Sequence, residues 1–187
     1  MKRWSAYLVI PLLLATLLVA TAQTARAEER TCRGTIGRET VDNLRVPDGA
    51  TCTLNGTRVQ GTIKVERNGT LRAANVAVVG NVQGENAASV IFRGGSVGGS
   101  VQIVQSGGAN IDGAQINGDI LFDANRSSLN AANNRIGGNL QAFKNTGGLS
   151  INTNRIDGNL QCKENAPAPT GRGNVVQGSK EDQCSRL

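Results

Sequence analysis

Apolar residues in this chain recur at even offsets from a glycine that itself returns every 19 or 20 residues. The glycines are Gly61, Gly80, Gly99, Gly118, Gly138, Gly158 and Gly178. Two residues before them stand Val59, Val78, Val97, Ile116, Ile136, Ile156 and Val176, and two after stand Ile63, Val82, Val101, Ile120, Leu140 and Leu160. Four after come Val65, Gly84, Ile103, Phe122, Ala142 and Cys162. Even offsets filled by β-branched residues are the period-2 mark of a strand with one buried face. Ten or eleven residues after each glycine a second short strand is predicted, from Leu71, Val90, Ala109, Leu129 and Leu149 with Ala73, Phe92, Ile111, Ala131 and Ile151 beside them.

Polar residues fill the odd offsets and are read as outward-facing. One residue after the glycine the column is Thr62, Asn81, Ser100, Asp119, Asn139, Asn159 and Ser179. Three after it the column is Lys64, Gln83, Gln102, Leu121, Gln141 and Gln161. These offsets do not follow 3.6, and glycine is too frequent for helix interiors.

A fixed period of about 20 residues means one unit repeated and stacked. Equivalent strands of successive coils then pair in parallel at ~4.8 Å. The predicted fold is all-β: a single-domain, right-handed parallel β-helix (a β-solenoid) of about seven rungs, since parallel crossovers are overwhelmingly right-handed. A left-handed hexapeptide helix is the rival, but the inward gaps here run 4, 2, 6 and 2 rather than a steady six. Corners are assigned to glycine and to two asparagine columns, Asn68, Asn125, Asn145, Asn165 and Asn134, Asn154, Asn174, because both residue types tolerate left-handed backbone and stacked amides can bond from rung to rung.

The two ends repeat the pattern less perfectly. Asp42 stands where a repeat glycine is due, with Leu44 and Val46 at the inward offsets. Cys32 and Cys52 are 20 residues apart and Cys162 and Cys184 are 22 apart, each about one coil. One coil in sequence is one rung in space, within the Cα separation that a disulfide accepts. The spacing therefore predicts Cys32–Cys52 and Cys162–Cys184, one staple at each end. Pro47, Pro167 and Pro169 also fall in the end segments, where missing ladder donors are tolerated. The expected organisation is a leader over 1–27, an N-terminal cap with a degenerate first coil over 28–58, regular coils over 59–165 and a C-terminal cap over 166–187.

The leader changes the electrostatic picture. Lys2 and Arg3, an apolar run from Leu8 to Ala20, and Ala25-Arg26-Ala27 read as an export signal cleaved near Ala27. The run is too short, and interrupted by Pro11, for a membrane anchor. Removing Lys2, Arg3 and Arg26 takes the formal net charge from +6 to +3. Trp4 and Tyr7 leave as well, so Phe92, Phe122 and Phe143 are the remaining aromatics. A weakly basic chain without stacking platforms argues against a nucleic-acid partner. Four cysteines in an exported chain read as disulfides rather than a zinc site, which would want histidine or a Cys-x-x-Cys pair. The expected setting is the cell surface, the periplasm or the medium.

The phrase [Val/Ile]-x-Gly-[Asn/Asp/Ser/Thr]-[Val/Ile/Leu]-Gln resembles that of largely uncharacterised exported bacterial β-helix repeat proteins. Their tails are similar to Gly158-Asn-Leu-Gln-Cys162-Lys-Glu-Asn165 and Lys180-Glu-Asp-Gln-Cys184 here, and the resemblance covers about residues 31–184. It implies a fold and carries over no active residue. The repeat core is also similar to bactofilins, cytosolic polymer-forming β-helices. The export signal and stapled ends depart from that pattern and speak against end-to-end polymerisation.

Candidate chemistry is sparse. Glycoside cleavage needs two carboxylates about 5–10 Å apart. Glu66 and Glu85 share a column with Asp123, and Asp119 and Asp157 lie on neighbouring columns. No long loop is available to wall a cleft around them, and histidine-based nucleophile schemes have no histidine. No catalytic residue, cofactor or metal is therefore assigned. Asn55, Asn68 and Asn125 begin Asn-x-Ser/Thr triplets, explained better by chance in an Asn-rich chain and by corner geometry than by glycosylation. The candidate binding face is the glutamine column, Gln83, Gln102, Gln141 and Gln161, whose amides suit an extracellular glycan or envelope polymer. Arg135 and Arg155, read as close to Lys144, would favour an anionic one. The expected role is an exported, non-catalytic structural or adhesive β-helix; the alternative is a protein that binds or cleaves polysaccharide.

Overall fold

The computed structural model describes residues 28–187, so the leader over 1–27 lies outside the described residues. The chain is all-β and winds as a parallel β-solenoid of about eight turns, one more than the sequence count, with no helix among the described residues. Each turn contributes strands to three faces. The first face, sheet I, is a nine-stranded ladder from Glu29–Thr31 to Lys180–Asp182. The other two faces belong to a 14-stranded sheet II. They are continuous only in Thr70–Val78 and Ser89–Val97; elsewhere a corner divides them, into a longer and a two-residue strand except in the first turn, where Thr35–Ile36 and Thr40–Val41 have two residues each.

The register is the one the sequence columns require. Ile63 pairs with Val82, Val82 with Val101, Val101 with Ile120, Ile120 with Leu140 and Leu140 with Leu160. Leu71, Val90, Ala109, Leu129 and Leu149 form the equivalent column on sheet II. The outer segments pair too. Glu29–Thr31 lies on Asn43–Val46, and Leu160–Lys163 lies on Lys180–Asp182. Leu44 and Val46 are fully buried, so Asp42 does begin a coil.

A single aliphatic core fills the axis, with each fully buried Val, Leu or Ile worth about 1.5–3 kcal/mol. Bulk is balanced turn by turn. Gly84 shares its turn with Phe92, and Phe122 shares its turn with Ala131. A Cβ on Gly84 would already press on Val90 and Ile103, at 3.1 and 3.3 Å.

The ends are closed by disulfides. Cys32 bonds Cys52 and Cys162 bonds Cys184, with Cα separations of 5.5 and 5.2 Å. At the C-terminal end the rung partner of Cys162 is Asp182, and Cys184 lies two residues on, in a turn folded over the core with Leu187 packed against it. Pro47 and Pro169 are buried at corners rather than set on a strand edge.

The corners correct one part of the sequence reading. Asn125, Asn145 and Asn165 are buried, and the left-handed residue is the one before each: Ala124, Lys144 and Glu164. The same holds at the next corner, where Asn133, Thr153 and Gly173 take positive φ and Asn134, Asn154 and Asn174 turn inward. Asn68 does not belong to this column. In the turns that begin at Asp42 and Gly61 the chain bends one residue later, at Gly49 and Asn68, and Asn68 is exposed.

Candidate functional site

Most of the polar columns serve the shaft. The column after the repeat glycine, read from sequence as outward, forms a chain of side-chain to backbone hydrogen bonds along the whole solenoid. Asn43 Oδ1 accepts from Thr62 N–H, Thr62 Oγ1 from Asn81, Asn81 Oδ1 from Ser100 and Ser100 Oγ from Asp119. The series continues through Asp119, Asn139 and Asn159 to Ser179. Its N···O distances run from 2.6 to 3.3 Å. These oxygens leave no room for a Cβ on the glycine above. A Cβ on Gly61 would fall on Asn43 Oδ1, and one on Gly99 on Asn81 Oδ1. That close approach, rather than a left-handed φ, is why glycine recurs there.

The inward asparagines make two further ladders. Asn125 Nδ2 donates to Ile103 O and to Asn145 Oδ1, both at 2.9 Å. Asn145 repeats this toward Phe122 O and Asn165. Gln183 ends the series by accepting from Asn165 at N–H and Nδ2. Asn134, Asn154 and Asn174 do the same at the neighbouring corner. A buried amide whose donors and acceptor are all satisfied fixes a corner without a desolvation penalty. Asn125 is therefore excluded as a glycosylation acceptor by burial.

What remains outward on sheet I is the glutamine column. Gln83, Gln102, Gln141 and Gln161 fall in one file, as the offsets require, with Leu121 in the middle. Gln83 Nε2 donates to Gln102 Oε1 at 3.3 Å, Gln141 Nε2 to Gln161 Oε1 at 2.7 Å, and Gln161 Nε2 to Glu181 Oε2 at 2.8 Å. Beside it runs a second outward file that the sequence reading did not single out for binding: Glu85, Val104, Asp123, Phe143 and Lys163. Val104, Leu121 and Phe143 are only half-buried and make an apolar centre between the glutamines. The signal was present, since these residues break an otherwise polar odd-offset pattern.

The candidate acids are scattered. Glu66 is held by Arg45 at 3.4 Å, and Arg45 also meets Glu29 at 3.1 Å. Glu85 is exposed and shares an open groove with Lys64, Glu66, Arg67 and Gln83. Asp119 is committed to the glycine-side ladder, whereas Asp157 faces Arg155 at 3.7 Å and accepts from Gln177 at 3.1 Å. Neither pair lies in an enclosed, water-excluding site. Among the described residues no three His, Cys, Asp or Glu side chains gather as a metal-binding group.

Arginines mark the opposite side. Arg135 and Arg155 are rung neighbours on the short face of sheet II. Lys144 is not with them: it belongs to the corner after sheet I, and the strand Leu149–Asn152 intervenes. On the longer face a groove is lined by Thr53, Asn55, Arg72, Ala74, Ile91 and Arg93, and neither arginine has a carboxylate within ion-pair distance among the described residues.

Comparison with known proteins returns no matching family model, curated protein or solved structure.

Proposed function

We propose that this chain is an exported, non-catalytic structural or adhesive rod of the cell envelope or extracellular space. The observation that carries the reading is the unbroken ladder from Asn43 to Ser179. It commits a polar side chain in every repeat to axial hydrogen bonding instead of to a ligand. Two disulfides fit an oxidising compartment outside the cytosol and fix the terminal turns of a solenoid, its least supported parts. A stiff, closed rod with flat faces suits spacing or attachment.

The test is a glycan array run beside hydrolase and lyase assays on the disulfide-bonded protein. The expected result is no turnover of any polymer. Turnover abolished by Glu85→Gln would overturn the reading in favour of an enzyme. A second reading, polysaccharide binding, is favoured by the Arg72–Arg93 groove, where two unpaired guanidinium groups flank Ala74 and Ile91. It expects retention of acidic glycans that weakens with salt and with Arg72→Ala.

A further inference from the structure

Over seven of the nine rungs of sheet I, from Lys64 to Glu181, the outward pattern reads the same from either end once charge is reversed; Thr31 and Arg45 lie in the same file outside that stretch. The glutamine file runs Lys64, Gln83, Gln102, Leu121, Gln141, Gln161, Glu181, one residue per rung. Counting away from Leu121, glutamine answers glutamine twice and lysine answers glutamate. The neighbouring file, counted from Asp123, sets Val104 against Phe143 and Glu85 against Lys163. Two independent files thus share one centre of inversion, the rung that carries Leu121 and Asp123.

That symmetry is what an isologous interface needs. A two-fold axis along the strand direction, through the Leu121 rung, keeps each file over itself and reverses the order of rungs. We infer that sheet I is the interface of an antiparallel homodimer, two solenoids packed face to face. Leu121 then meets its own copy, Val104 meets Phe143, and Gln102 and Gln83 meet Gln141 and Gln161. Lys64 faces Glu181 and Glu85 faces Lys163, each pair occurring twice.

The monomer leaves these groups available. Lys64, Glu85, Lys163 and Glu181 make no ion pair among the described residues. Val104, Leu121 and Phe143 are outward and half-buried. Asp123 meets its copy at the axis, and the groove beside it is lined by Lys144, Lys163 and Glu164. A parallel dimer does not fit. Its axis would run along the solenoid and exchange the two files within a rung, laying Leu121 on Asp123 and Gln141 on Phe143. The footprint, roughly 30 Å by 10 Å per partner from the rung spacing, buries about 600 Å² in total, below the size of a stable interface, so the association is weak and reversible.

Sedimentation equilibrium of the disulfide-intact protein up to about 500 µM, where an association as weak as about −4 to −5 kcal/mol still populates dimer, gives the test. The expected result is a monomer–dimer equilibrium. Glu85→Lys and Lys163→Glu should each weaken it by about tenfold or more through like-charge contacts. An equimolar mixture of the two variants should recover a dimer, because the heterodimer restores both pairs, and recovery also proves both variants folded. A monomer throughout the range, dimers of unchanged strength in both variants, or weakened variants that fail to recover on mixing would each overturn the inference.

Discussion

The Oδ1 atom of Asp119 occupies the space that a Cβ on Gly138 would need. It sits there because it accepts the backbone N–H of Asn139 at 2.6 Å, and every repeat glycine above the first coil has an equivalent oxygen beneath it. Gly138 is not in the left-handed region, so its replacement is opposed by space alone. Gly138→Ala should cost about 2–4 kcal/mol, from overpacking and a broken hydrogen bond. Gly37, with nothing within 4 Å of a built Cβ, is the control. Gly37→Ala should be neutral or stabilise by up to about 1 kcal/mol through the unfolded chain. Urea midpoints at constant m-value decide, and equal effects at the two sites would refute the spatial account.

Much of this architecture is legible from spacing, because a period of 20 with β-branched residues at even offsets calls for short strands stacked coil on coil. The glycine-side ladder is not. Alternation assigns Asn81 or Asp119 to solvent, and only the rung above shows that their oxygens point along the axis at a backbone N–H. Spacing puts Asn125, Asn145 and Asn165 in one column and suggests conformational tolerance as the cause, whereas burial and complete hydrogen bonding are the reason they stand there. Asn68 fell out because a corner can shift by one residue without changing the repeat length. The apolar centre on the outward face of sheet I is hidden for a related reason: Phe122 at offset four is core, whereas Phe143 at offset five is surface.

That one-residue difference makes its own prediction. Phe122 is fully buried in the core, in the turn that also carries the small Ala131, so Phe122→Ala should cost about 3–5 kcal/mol. Phe143→Ala should change monomer stability by less than about 1 kcal/mol, because its side chain faces outward. Thermal unfolding at low micromolar concentration, where the monomer dominates, separates the two. Equal losses would mean the register on sheet I is displaced by one residue.

The inner and outer amide ladders should differ in worth. Asn145 is buried and its Oδ1 takes both the N–H and Nδ2 of Asn125, so Asn145→Ala strands buried donors as well as Phe122 O. The expected cost is about 2–4 kcal/mol. Gln161 exchanges hydrogen bonds with Gln141 and Glu181 on a face that water reaches, and Gln161→Ala should cost about 1 kcal/mol or less. Chemical denaturation of the two variants side by side checks the ranking. A Gln161 effect as large as that of Asn145 would show the outer file to be a structural element instead of a free face.

The C-terminal staple should act locally. Cys184 is fully buried beneath a turn that also brings Leu187 onto the core and lets Gln183 receive both donors of Asn165. Closing a loop of 22 residues is worth about 3 kcal/mol in the chain-entropy model. In a solenoid each turn contacts only its neighbours, so that loss is felt where it occurs instead of being shared by the whole chain. The Cys162→Ser/Cys184→Ser double variant should therefore lose amide-exchange protection from about Leu160 onward. Val101 and Ile103, well inside the stack, should keep theirs. Hydrogen-exchange mass spectrometry reads this directly, and peptide mapping without reduction should first recover Cys32–Cys52 and Cys162–Cys184 as the native pairs. A uniform loss of protection would mean that the turns fold as one cooperative block, and the staple would then stabilise the entire rod and not its end.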